Sequence, residues 1–140
     1  MFFSLLKYVI IKARSAGLIK KFMIKKILIA EDEASVSHAL EDKLSSAGFS
    51  VRIVSNGHDV LELLQMDTFD VLLLDLIMPR LDGFSTLKEI RGRGWDIKVV
   101  VLSNLGQEED IRKVKEFGVL DYFVKSETPL SEIVDYLKKL

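Results

Sequence analysis

Five residues spread over this 140-residue chain are of types that can hold a cation and handle a phosphoryl group: the adjacent acids Glu31 and Asp32, then Asp75, Ser103 and Lys125. Each follows an apolar run, and four consecutive apolar residues, VLLL, run into Asp75. A lone carboxylate at the end of a strand either caps the next loop or does chemistry, so the companions matter. Three carboxylates brought together repel and raise one another's pKa unless a cation sits among them. The chain has no Cys and only two distant histidines, His38 and His58, so a metal must bind through oxygen. A hard ion that keeps several waters and needs few protein carboxylates, Mg²⁺, suits that donor set best. Asp75 would then stay ionised and could attack phosphorus as a carboxylate nucleophile. Mg²⁺ and the Lys125 ammonium would neutralise the phosphoryl oxygens while the Ser103 hydroxyl donates a hydrogen bond to one of them. Asp32 is expected to ligate directly and Glu31 through water, with the backbone carbonyl of Ile77 completing the protein ligands.

These residues meet only if the chain folds to bring strand ends to one rim. Apolar runs at Ile27–Ala30, Val51–Val54, Val71–Leu74, Val99–Leu102 and Tyr122–Val124 alternate with segments of helical period. That alternation predicts an α/β fold with a parallel sheet. The helical stripes are Val36, Ala39, Leu40, Leu44; Val60, Leu61, Leu64; Phe84, Leu87, Ile90; Ile111, Val114, Phe117; and Leu130, Ile133, Val134, Leu137. Gly48 and Gly118 stand where helices should stop, Thr128-Pro129 offers an N-cap followed by proline at the first helical position, and Asp82-Gly83 reads as a turn. Right-handed crossovers covering both faces favour a doubly wound, flavodoxin-like sheet of order 2-1-3-4-5 with five helices. Ligands of such sheets bind beyond the carboxyl ends of strands one and three, where the winding reverses. Glu31, Asp32 and Asp75 follow those two strands.

Charge divides the chain. Residues 1–22 carry Lys7, Lys12, Arg14, Lys20 and Lys21 and no acid, so a total of −1 leaves −6 for residues 23–140. An acidic body lacks the basic stripe that direct nucleic-acid binding requires. Phe2, Phe3, Leu5, Leu6 and Tyr8 to Ile11, mixed with these cations, could form an amphipathic helix on an anionic membrane surface. The run is too short to span a bilayer and has the wrong charge order for a secretory signal. The plainer reading is a basic extension ahead of a domain that begins near Met23.

From about Ile24 to Leu140, roughly five sixths of the sequence, the chain resembles a response-regulator receiver domain of bacterial two-component signalling. The matching residues are the acidic pair in ILIAEDE, the acceptor in LLLDLIMPRLDG, the hydroxyl in VVVLSN and the lysine in DYFVKS. The resemblance implies that Asp75 takes its phosphoryl group from a phosphohistidine on a sensor histidine kinase or a histidine phosphotransfer protein, with Mg²⁺ as cofactor, in the cytoplasm. It also implies that Tyr122 turns inward when Ser103 engages the phosphoryl group. Output would leave through the surface around the fourth sheet helix, strand five and the last helix, either by phosphorylation-dependent homodimerisation or by docking on another protein. With the fifth helix expected to end at Leu140, a single-domain regulator is expected. The competing function is a docking module that keeps the fold and does not use phosphorylation.

Four positions depart from the commonest pattern of that family. Glu31 stands for Asp and Ser103 for Thr, both conserving the chemistry. Asn104 stands for a small Ala and is expected to narrow access to the site. Ser126 stands for Pro, so the Lys125-Ser126 bond is expected to be trans with an altered loop, or strained, since a cis bond there costs about 2.5–4 kcal/mol. Ile77 and Leu105, flanking the path of hydrolytic water, are both apolar, which predicts a long-lived phosphoryl group. His38 and His58 read as surface or partly buried residues away from the rim, Trp95 as a lid over the amino-terminal edge of the sheet, and Glu108 to Asp110 as favourable charge at a helix start.

Overall fold

The computed structural model describes residues 2–15 and 25–140. Five strands form one parallel sheet: β1 (Lys26–Ala30), β2 (Ser50–Val54), β3 (Val71–Leu74), β4 (Lys98–Ser103) and β5 (Asp121–Val124). Their order is β2-β1-β3-β4-β5, the doubly wound order expected. Helices α2 (Ala34–Ser46), α3 (Gly57–Met66), α4 (Gly83–Gly92), α5 (Glu108–Lys115) and α6 (Leu130–Lys138) surround it, and a short 3₁₀ turn, Lys125–Glu127, joins β5 to α6. A sixth α-helix, α1 (Phe2–Ser15), exceeds the five expected and lies within the basic extension. The rest of that extension, and the proposed boundary at residues 22 and 23, fall outside the described residues. Among the described residues no helix is long and apolar enough to cross a membrane.

The central strands are apolar on every residue because both of their faces are covered. Leu28, Leu72, Leu74, Val99 and Val101 pack with Val60, Leu87, Ile90 and Val114 of α3, α4 and α5. Their neighbours Ile27, Ile29, Leu73, Val100 and Leu102 point the other way, onto Leu40 and Leu44 of α2 and Ile133 and Leu137 of α6. Each such side chain contributes about 1.5–3 kcal/mol on full burial. The edge strands β2 and β5 are only partly covered.

Two local expectations need correction. The Asp82-Gly83 pair is no turn: Asp82 is the N-cap of α4, accepting from the Ser85 N–H at 2.8 Å, and Gly83 opens the helix. A Cβ at Gly83 would lie 2.2 Å from the Asp75 carbonyl oxygen, so this glycine is set by close approach of two backbones. The left-handed residue of that loop is Arg80, at φ 65°. Thr128 does not cap α6; Pro129 occupies the N-cap position with φ −61° and ψ 142°, and Leu130 starts the helix. Proline has no N–H to give and its carbonyl receives the Glu132 N–H at 3.0 Å, which suffices to begin the turn. The Lys125-Ser126 peptide is trans, as are all described peptides, and the altered loop is the 3₁₀ turn.

At the amino-terminal edge Arg91 reaches out of α4 and donates to the carbonyls of Phe117, Trp95 and Ile97 at 2.7–2.9 Å. Trp95 packs half-buried beside it against the core, as a lid there should. His38 and His58 are exposed on α2 and α3.

A candidate phosphoryl-transfer site at the carboxyl edge

Sheet register places the acids. The Glu31 N–H bonds the Val54 carbonyl at 3.0 Å and the Asp75 N–H bonds the Ala30 carbonyl at 3.0 Å, so both acids are held one step beyond paired strand ends. Asp75 is 4% exposed and Glu31 3%, although both are charged residue types. Their partner is Lys125, whose Nζ lies 2.5 Å from Glu31 Oε2 and 2.9 Å from Asp75 Oδ2. The other oxygen of Asp75 accepts the Ile77 N–H at 3.1 Å.

Burial pushes the Glu31 carboxyl up to about 7, with the Lys125 hydrogen bond opposing the shift and the Asp75 charge adding to it. Burial also works against the Lys125 ammonium, but its hydrogen bonds to Glu31 and Asp75 outweigh that and hold it above the usual lysine value. One ammonium therefore serves two buried acids, and a third, the exposed Asp32, lies beside them. Glu31, Asp32 and Asp75 each offer an oxygen within 4.8 Å of the others. An all-oxygen set with more negative charge than its one amine can balance fits a hard divalent cation such as Mg²⁺.

The cavity over these groups, about 360 Å³, is lined by Glu31, Asp32, Glu33, Asp75, Ile77, Asn104 and Lys125. Four of the five residues expected there line it directly. Ser103 is fully buried behind the rim, where it accepts the Leu105 N–H at 3.4 Å. Tyr122 is half-buried, its hydroxyl donating to the Leu105 carbonyl, and burial raises that phenol to about 12. Ile77 is 53% exposed and faces both this cavity and a larger one beside it.

Two features were not anticipated. Glu33 lines the site and its N–H donates to Glu31 Oε1 at 3.1 Å; the third acid of EDE was the available signal. Asn104, expected only to narrow access, accepts the Ser126 N–H on its Oδ1 at 3.1 Å. That donor exists because residue 126 is not proline.

Residues 27–138 match the family model described as the response regulator receiver domain. The chain belongs to that family. It is 39% identical over 105 residues to a protein of Guillardia theta named "Probable transcriptional regulator ycf27", which covers 75% of this chain and 41% of that relative. The receiver domain of Francisella response regulator 1452 superposes with a TM-score of 0.75 at 29% identity, covering 82% of this chain and 97% of that one. The beryllofluoride-activated N-terminal receiver domain of Klebsiella pneumoniae RstA gives 0.75 at 26% identity, with the same coverage of both chains. The chain spans less than half the length of the curated relatives it matches. A receiver domain implies phosphorylation-dependent signalling, and receivers bind Mg²⁺ at an acidic pocket of this kind.

Proposed function

We propose that residues 23–140 form a receiver unit that accepts a phosphoryl group on Asp75 from the phosphohistidine of a sensor histidine kinase or histidine phosphotransfer protein, in the cytoplasm. The observation that carries this is the Lys125 ammonium shared by buried Asp75 and Glu31, with the Asp32 carboxylate at the same rim. An Asp75 oxygen attacks phosphorus, an O–P bond forms, and the N–P bond breaks with its electron pair returning to the donor imidazole. Lys125 moves its charge from the carboxylate to a phosphoryl oxygen, and the Ser103 hydroxyl donates to another. Asp32, Asp75 and the Ile77 carbonyl would hold Mg²⁺, with Glu31 acting through water, and the ion would supply further neutralisation of that charge.

Drawing Ser103 to the phosphoryl group shifts the loop after β4, whose Leu105 carbonyl holds the Tyr122 hydroxyl. The same event then biases Tyr122 and the surface of α5, β5 and α6 between two arrangements. We propose that this surface carries output to a partner protein or to a second copy of the chain. Several relatives are named as transcriptional regulators, so a partner acting on transcription fits; the acidic receiver unit itself is poorly suited to nucleic acid.

Calorimetric titration with beryllofluoride and Mg²⁺ tests the reading. Saturable binding by wild type, absent in Asp75→Ala, is the expected result. No binding by a folded wild type would overturn it and favour docking that ignores phosphorylation.

A further inference from the structure

Helix α1 contributes no residue to the lining of the acidic site, and its surface is unusual. From Ser4 to Lys12 every residue is exposed. Leu5, Leu6, Tyr8, Val9, Ile10 and Ile11 are each 46–64% exposed, a density of large apolar side chains found on no other described helix. Leu6, Val9 and Ile10 stand at i, i+3 and i+4 and share one face. Tyr8 to Ile11 fill a whole turn, so apolar surface extends beyond the single stripe that a partner's groove would cover. The remaining described side chains of the helix are cationic or small, and residues 1–22 hold five basic groups and no acid. The Lys12 ammonium sits 5.6 Å from the centre of the Tyr8 ring, keeping a cation beside an aromatic of the kind that favours lipid headgroups.

We propose that α1 lies in the plane of anionic lipid bilayers, with Leu6, Val9 and Ile10 below the headgroups and its cations among the lipid phosphates. Fourteen residues rise only about 21 Å, short of the roughly 30 Å hydrocarbon core, so the helix lies along the surface and does not cross. Charge complementarity selects the surface: the basic helix is attracted, while the −6 body is repelled and held outward. A surface-bound helix of this type binds reversibly, since apolar burial and charge must act together.

Flotation of the full chain with vesicles of phosphatidylcholine alone, or mixed equally with phosphatidylglycerol, is the test. At about fivefold in affinity per basic residue, Lys7→Gln/Lys12→Gln/Arg14→Gln should weaken binding to the anionic vesicles roughly hundredfold. Leu6→Ser/Val9→Ser/Ile10→Ser should abolish it. Raising salt from about 0.1 M to about 1 M, where the Debye length falls from about 10 Å to about 3 Å, should release the wild type. All changed residues lie on α1, outside the sheet, so an unaltered melting temperature of the body confirms that each variant folds. Absence of binding, or equal binding to the two vesicle types, overturns the proposal. So does self-association abolished by the serine variant in a protein that ignores vesicles, which would assign α1 to a protein interface.

Discussion

Lys125→Met separates the two cations that the acidic rim is built for. In the wild type the ammonium is 11% exposed and bonds both Glu31 and Asp75. Methionine keeps the length and the apolar stem of the side chain but leaves two buried carboxylates without a counter-charge. Breaking a buried pair by removing one partner costs about 3–5 kcal/mol. Here the lower end applies, because Glu31 is already pushed up to about 7 and can take a proton in place of the lost ammonium. A loss of about 3 kcal/mol is a large share of the roughly 5–15 kcal/mol that stabilises a domain. Mg²⁺ should restore part of it, and should stabilise the variant more than the wild type, because lysine and metal compete for the same charge. At a concentration 100-fold above its dissociation constant the ion contributes about 2.7 kcal/mol. Urea unfolding of both proteins at neutral pH, with chelator and with saturating Mg²⁺, gives the four free energies needed. If the variant matches the wild type within about 0.5 kcal/mol in chelator, or if Mg²⁺ stabilises the wild type more, the reasoning is wrong.

Three further outcomes follow from particular contacts. Gly83→Ala places a Cβ 2.2 Å from the Asp75 carbonyl oxygen and 2.5 Å from Leu76 Cα, both backbone atoms that cannot swing away; a loss of about 1–3 kcal/mol is expected, read as a fall in melting temperature, and an unchanged temperature would contradict the close approach. Ile77 and Leu105 give water no hydrogen-bond partner from their side chains, so the phosphoryl group on Asp75 should outlast a gel-based assay, and Ile77→Asn should speed its loss roughly tenfold by orienting the nucleophile; loss within seconds from the wild type would refute this. Asn104→Ala should cost about 1 kcal/mol or less, since its bond to the Ser126 N–H is exposed; in Ser126→Pro, which removes that N–H, the same change should cost nothing, and equal costs in both backgrounds would dissolve the coupling.

What could be read from the chain depended on distance along it. A strand buried on both faces writes itself as an unbroken apolar run, so β3 was legible to the residue, and the parallel order followed from the crossovers. Once strand ends share a rim, Glu31, Asp32, Asp75 and Lys125 must converge whatever their rotamers do. The choice of partner within the rim was not legible. The role of Lys125 toward a phosphoryl oxygen named no resting partner for it, and in the structure it bridges the two buried acids. Arg91, whose guanidinium gathers carbonyls from up to 27 residues away, gives no periodic signal because its stem leaves an ordinary helical position. Gly83 looked like turn chemistry since sequence shows a missing Cβ without showing what would collide with it.

The two departures in the loops around the site show why single positions mislead. Read alone, Asn104 narrows a cavity and Ser126 forfeits the proline that eases an unusual peptide. Together they form one contact, because a proline at 126 would leave Asn104 Oδ1 without its donor and an alanine at 104 would leave the Ser126 N–H to solvent. The contact ties the loop that follows Ser103, at the end of β4, to the turn after β5, which carries Lys125. Those are the two groups that must move toward the phosphoryl oxygens in the proposed transfer. A hydrogen bond between their loops would couple the two movements in that transfer, so the pair is placed to act on the site even though neither residue has any chemistry of its own to perform there.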